Sequence, residues 1–371
     1  MYFSLEPKRK REDLYDRERE LNELEKATEN GRIILLTGIR RIGKTSLLQV
    51  FLEERKTQGK MYVFMDCRNF VKGTNRIDKD YFDRVFLESL DKITANRKWK
   101  NVLKNITRVS VSGIQVDSHK ADGKGLSIHQ KLDEINELLG RVGKKLIIAL
   151  DEAQNLRFYG VGGYSMLNIF AHAYDHLENI KFIITGSEVG LLHDFLKLDN
   201  PKAPMYGRYV NEIHLERFAR EQSIDFLTKG FKQVGMKPDM REIEKAVDIL
   251  DGMVGYLVIY GYVVYSSKDY GGALKKAVEM AENLVRVELD ELGRRSENYK
   301  NVLKAVAFGM SNFSNIKRYI ETNYGGISDQ TLSNNLNALV KQCFLSFKYE
   351  KGSKVYTIPD PILRKLLLCV K

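Results

Sequence analysis

Residues 32–45 read RIILLTGIRRIGKT. The first six form a short apolar run, as required of a strand buried on both faces of a parallel sheet. The next eight, Gly38, Ile39, Arg40, Arg41, Ile42, Gly43, Lys44 and Thr45, match G-x-x-x-x-G-K-[ST]. The glycines let the backbone turn tightly, so that successive N–H groups point at a phosphate. A helix expected over about residues 44–54 adds the positive end of its dipole and brings Ser46 into the cradle. Lys44 would reach the β- and γ-phosphates and the Thr45 hydroxyl would bind Mg²⁺. At about 7% glycine, chance supplies on the order of 0.01–0.02 such matches in a chain this long. The position between a buried strand and a helix is the context that distinguishes the motif from an ordinary glycine turn.

Outward from this loop, MYVFMD (61–66), KLIIAL (145–150) and KFIIT (181–185) read as further buried strands. Strands alternating with helices indicate a parallel α/β sheet. The third strand runs into Asp151 and Glu152, at the carboxyl edge where such sheets bind ligands. Asp151 would hold Mg²⁺, through water, and Glu152 would orient or polarise an attacking water. Before the first strand, residues 13–28 read as a helix with Leu14, Leu21 and Leu24 near one face. Residues 68–144 form a basic insertion, with a helix near 79–93 and an alternating stretch, RVSVSGIQVD (108–117), expected to be a strand or hairpin.

From residue 216 onward the strand signals vanish, and 219–234, 240–250, 253–266 and 273–292 read as helices. Residues 299–308, 314–322 and 328–342 then read as three short helices, followed by two strands around Lys351-Gly352. That order is a winged helix-turn-helix. Three domains are therefore expected: a core over 1–215, a helical lid over 216–295 and a winged helix over 296–371.

Composition sets the limits. The 371 residues include 43% hydrophobic and 29% charged, which supports packed cores and excludes disorder as the dominant state. Three cysteines, Cys67, Cys343 and Cys369, are far apart, which excludes a disulfide scaffold and fits a reducing compartment. The first residues lack the apolar segment of a signal peptide, and the longest apolar stretch, residues 253–265, is too short to span a bilayer. A cytoplasmic protein without membrane contact is expected.

The net charge of +11 is concentrated. Residues 68–130 carry thirteen basic against seven acidic side chains, and residues 297–371 carry eleven against five. Such segments are either a footprint for phosphate backbones or a solubilising surface. The run at residues 8–11 reads as a solvated tail. On the third winged-helix element, Gln330, Ser333, Asn334 and Asn337 are placed to reach base edges. Phosphate contacts would come from Lys317, Arg318, Lys348, Lys351 and Lys354, with Lys341 the helix's own cation. Winged helices also dock on proteins. His172 and His176, four apart, have a spacing that can chelate a metal but also suits a plain helix face.

The stretches GIRRIGKTSLL, LDEAQ, FIITGSEVGLL and PMYGR resemble the archaeal P-loop ATPases of the AAA+/STAND group, over about residues 14–361. The resemblance implies an AAA+-like P-loop NTPase core, a helical lid and a C-terminal winged helix, with ATP/ADP and Mg²⁺ as ligands. The origin-recognition ATPases are similar more faintly. It further implies that Asp16, Arg17 and Glu18 lie against the adenine and that Thr185 senses the γ-phosphate. It also implies that Arg208 approaches the γ-phosphate, in trans from a homo-oligomer; a structural salt bridge is the alternative. Two positions depart from the pattern: Ser187 stands where relatives often carry arginine, and Val254 where they carry the proline of Gly-x-Pro. Three functions remain open at this stage. One is a slowly hydrolysing ATP-driven switch, another a duplex-DNA binder with a structural nucleotide, and the third an ATPase docking on a protein partner.

Overall fold

The computed structural model describes residues 1–73, 76–94 and 127–369. Five strands form the central sheet: β1 (Ile33–Thr37), β2 (Met61–Asp66), and, after a two-residue hairpin of β3 (Val71–Lys72) and β4 (Arg76–Ile77), β5 (Leu146–Asp151), β6 (Ile180–Gly186) and β7 (Asn211–His214). Their order is β2-β5-β6-β1-β7, all parallel. Every residue of β1, β5 and β6 is buried, which is why these strands read as nearly continuous apolar runs. The register pairs Thr37 with Gly186 and Asp66 with Asp151, so the carboxyl ends of four strands meet at one edge.

Helices α1 (Glu18–Asn30), α2 (Lys44–Thr57), α3 (Lys79–Thr94), α4 (Ile128–Arg141), α5 (Tyr164–His176) and α6 (Val189–Leu196) complete this part of the chain. A helical stretch follows, with α7 (Arg220–Gln233), α8 (Met240–Leu250), α9 (Val254–Ser267) and α10 (Ala273–Arg295). Helix α9 is apolar on all sides because seven of its residues are buried between neighbouring helices. Then come α11 (Glu297–Ala307), α12 (Phe313–Tyr324) and α13 (Asp329–Lys341), the antiparallel β8 (Ser346–Glu350) and β9 (Ser353–Thr357), and a closing α14 (Pro361–Cys369). The architecture is the expected one: a parallel-sheet P-loop core, helices beyond it and a winged helix.

Several local expectations need correction. The first helix begins at Glu18, because Asp16 and Arg17 sit at φ 56° and 73°, a backbone that no right-handed helix continues through. Strand β7 was not expected: it lies at the sheet edge with only Ile213 buried, so it carries no apolar run. Helix α14 was also missed, although Pro361 at its first position is a start signal and Asp360 accepts from the N–H groups of Ile362 and Leu363. The strand or hairpin expected at 108–117 lies outside the described residues. Nor is the run at residues 8–11 simply a solvated tail: Arg9 and Lys10 are exposed, but Lys8 is half-buried and Arg11 pairs with Glu18.

The chain's first residues are anchored in the helical stretch. Phe3 is fully buried in a slot that exists because α7 and α9 carry glycines there. A Cβ at either Gly230 or Gly261 would stand 2.2 Å from the Phe3 ring. Gly261→Val therefore expels or strains the ring and should lower stability by about 1–3 kcal/mol, read as an earlier urea midpoint at unchanged slope.

Candidate nucleotide site

The loop between β1 and α2 adopts the backbone that its glycines allow. Gly43, at φ +100°, has nothing within 4 Å of where a Cβ would stand, so its bare backbone faces open space. Gly38, at φ +146°, is pressed against the carbonyl of Leu215, which a Cβ would approach to 2.7 Å. Lys44 opens α2, is almost wholly buried, and donates through Nζ to the carbonyls of Gly38 (2.8 Å) and Ile39 (2.9 Å). Burial pushes its pKa down, against the charges of Glu152 and Asp151.

The two residues expected to hold Mg²⁺ are brought together: Thr45 Oγ1 donates to Asp151 Oδ2 at 2.8 Å. Thr185, at the end of β6, donates its hydroxyl to Asp151 Oδ1 and accepts from the Glu152 N–H at 3.0 Å. Burial, with the neighbouring Glu152 charge, raises the Asp151 pKa against the two hydroxyl bonds. Glu152 stands at φ 52°, leaving the strand line to turn its carboxylate into the cavity. Its Oε2 accepts from Ser187 Oγ (2.6 Å), the Ser187 N–H (3.2 Å) and Gln154 Nε2 (2.7 Å). Burial pushes this carboxyl up, but Lys44 and these hydrogen bonds outweigh it, so it lies below its usual value. Ser187 and Gln154 had no motif to reveal their part here.

Of these groups Gly43, Lys44, Thr45, Glu152, Gln154 and Ser187 line a cavity of about 950 Å³, with Asp151 and Thr185 bonded behind them. Its far end is aromatic: Tyr15 meets Phe218 edge-on at 5.4 Å, and the Arg17 guanidinium lies 4.8 Å from the Phe218 ring centre. Arg17 also donates to Glu20 (3.0 Å) and to the Glu216 carbonyl (2.7 Å). Val254, the departure from Gly-x-Pro, lines the cavity as the first residue of α9. A bare backbone facing open space at Gly43, a buried ammonium and the Thr45–Asp151 pair together fit a magnesium–nucleotide complex.

Arg40 and Arg41 line another part of the cavity wall and join the loop to the rest of the molecule. Arg40 pairs with Glu188 (2.5 Å), reaches the Gln342 carbonyl (3.4 Å) and lies 5.1 Å from the Phe344 ring centre. Arg41 pairs with Glu288 of α10 (2.6 Å) and Asp360 ahead of α14 (3.5 Å), and its carbonyl accepts from the Gly255 N–H (2.8 Å). Ile42 is buried, while Ile39 is half-buried. Arg208 is elsewhere: it pairs with Asp175 at 2.5 Å and does not line the cavity. His172 Nε2 is 2.7 Å from Asp133, and among the described residues no cluster of His, Cys, Asp and Glu side chains is suited to a metal ion.

Fold and sequence motif together define a P-loop NTPase with a winged helix. The chain belongs to the family of ATPase domains found predominantly in Archaea, which it matches over residues 14–259. Residues 294–358 match the C-terminal winged helix-turn-helix domain of MCM proteins. A Walker-type ATPase of Pyrococcus abyssi is 37% identical, with 99% of this chain and all of that one superposed at a TM-score of 0.84. The ORC2 protein of Aeropyrum pernix, in ADPNP–ADP complexes, shares the fold at 16% identity and a TM-score of 0.58, over 95% and 93% of the two chains. An uncharacterized protein of Methanocaldococcus jannaschii is 27% identical over 184 residues, covering 48% of this chain but only 38% of that relative's length. Among the described residues no helix is long and apolar enough to cross a membrane.

The Arg41 links make a direct prediction. Arg41→Ala leaves Glu288 with only the more distant Arg40 (3.9 Å) and Asp360 with only neutral donors such as the Tyr256 hydroxyl (2.6 Å), and should destabilise the protein by on the order of 1–3 kcal/mol, discounted from a fully buried pair for partial exposure. A double-mutant cycle with Glu288→Ala should return a coupling of about 0.5–3 kcal/mol in unfolding free energy.

Proposed function

We propose that the protein hydrolyses ATP with Mg²⁺ at this site and that nucleotide state is relayed from the loop to the winged helix. The observation carrying this reading is the hydrogen-bonded chain Thr45–Asp151–Thr185, with the ionised Glu152 beside it in the same cavity as Lys44. Mg²⁺, when bound, would neutralise developing phosphate charge, held by Thr45 and Asp151. Lys44 supplies a fixed positive charge to the phosphates, and the loop N–H groups orient them. Glu152, held by Ser187 and Gln154, accepts a hydrogen bond from the attacking water and so aligns it. Thr185 fixes Asp151 and the Glu152 backbone in one arrangement, so both carboxylates respond together to what occupies the site. Arg208, paired with Asp175 outside its own cavity, would serve only from a second copy of the chain.

In this reading the chain divides near residues 215 and 295 into core, lid and winged helix, and Arg40 and Arg41 connect all three. Steady-state hydrolysis tests the chemistry. Glu152→Gln keeps shape but loses the base, and should lower kcat by about 10²–10⁴-fold while ADP still binds. Wild-type turnover no faster than the variant's would refute the assignment of Glu152.

The winged helix is read as a duplex-DNA face, because Gln330, Asn334, Asn337 and the wing residues Lys348 and Lys351 are exposed on it. Affinity for duplex DNA should then fall linearly on logarithmic salt axes, and Lys351→Ala should flatten the slope by about 0.9. Salt-independent or absent DNA binding would favour a protein partner at this surface.

A further inference from the structure

The first thirteen residues cross the open side of the cavity as a strap. One end is fastened by Phe3 in its slot, with Tyr2 stacked on Phe226 at 5.7 Å between ring centres. The other end is fastened to the phosphate loop's own helix, where the Lys8 N–H donates to Ser46 Oγ at 3.1 Å. Between these points Ser4, Leu5, Glu6 and Pro7 line the cavity, and the chain returns to it from Asp13 to Tyr15.

Lys8 is the unexplained group on this strap. Its side chain is half-buried and lines the same cavity as Lys44 and Thr45. Its ammonium donates to the Ser4 carbonyl, and among the described residues no carboxylate pairs with it. Burial alone pushes its pKa down to about 8. An ammonium held out of water in a binding cavity, without a counter-ion, is costly unless an anion shares the cavity.

The helix says where that anion lies. Successive residues on α2 point about 100° apart. Thr45 is turned to Asp151, and Ser46 to the strap. Lys8 therefore meets the loop's helix on a different side from the Asp151–Glu152 carboxylates, in the same cavity wall that includes Tyr15 and Phe218. A polyphosphate with its terminal group beside Lys44 and Glu152 presents its innermost phosphate on that side.

We propose that Lys8 is a phosphate-binding residue of this site, reaching the α-phosphate from the strap and closing the nucleotide between the helical stretch and the loop. The proposal rests on the nucleotide-binding reading above and adds a cation that belongs to no part of the G-x-x-x-x-G-K-[ST] motif.

The test is calorimetric titration of full-length wild type, Lys8→Met and Lys8→Arg with ADP and with ATP, at low and at physiological salt. Because ADP and ATP share the α-phosphate, Lys8→Met should weaken both by the same factor, about 10–100-fold. Its affinity should also depend less steeply on salt. Lys8→Arg, which keeps the charge, should recover most of the loss. Wild-type affinity in Lys8→Met overturns the proposal. A loss with unchanged salt dependence assigns Lys8 to packing of the strap and overturns it as well. A loss confined to ATP moves the ammonium to the γ-phosphate and overturns the α-phosphate assignment. Wild type that binds neither nucleotide removes the nucleotide reading itself, a result distinct from a variant that matches a binding wild type.

Discussion

Two adjacent arginines hold the molecule's parts in one arrangement. In the phosphate loop, positions 40 and 41 are the variable part of the motif, and here both carry long cations that pair with carboxylates of the cavity wall and beyond. Arg40 reaches Glu188 in the core and the Gln342 carbonyl in the winged helix, while Arg41 reaches Glu288 and Asp360. Arg41 manages this at φ 65°, so the loop's backbone and its ion pairs are set together. Such charge pairs add little net stability over an apolar contact of the same shape, but losing one partner is expensive. Their value lies in specificity: the loop that would feel a phosphate is also the point at which three parts of the fold are pinned.

Much of the architecture was legible because the sheet is buried on both sides. The residues at 33–37, 146–151 and 180–186 are all buried, so their sequences are almost wholly apolar, and 61–65 reads the same way although its alternate side chains are only half-buried. Edge strand β7 had no such constraint and left no trace. The turn at Asp16-Arg17 was illegible for a different reason: a left-handed backbone at non-glycine residues depends on tertiary contacts, here those of Arg17 with Phe218 and Glu216. Helix α14 could have been read from Pro361 and the spacing of Ile362, Leu363, Leu366 and Leu367.

For the site, legibility followed covalent proximity. Gly38 to Thr45 and Asp151-Glu152 are contiguous motifs whose chemistry dictates their spacing. The groups that tune them arrive from far along the chain: Thr185 and Ser187 from the end of β6, Tyr15 from ahead of α1, and Phe218 from beyond β7. Ser187 illustrates the point. The resemblance marked it as a missing arginine, whereas in the fold its hydroxyl and N–H both bind the Glu152 carboxylate. A small donor there can hold the carboxylate without neutralising it.

One contact between core and winged helix has a consequence for energetics. Gly190 of α6 lies so close to α13 that a Cβ would stand 2.6 Å from the Lys341 Cα, and the Lys341 ammonium pairs with Asp194 at 2.7 Å. The lysine on that helix is thus already spoken for by the core. Any polyanion that takes Lys341 competes with Asp194 for it, so docking and capture draw on the same charge. Were both the loop and the winged helix to hold a ligand, their coupling would be thermodynamically reciprocal: whatever factor a ligand at the loop applied to the winged helix's affinity, a ligand at the winged helix would apply to the loop.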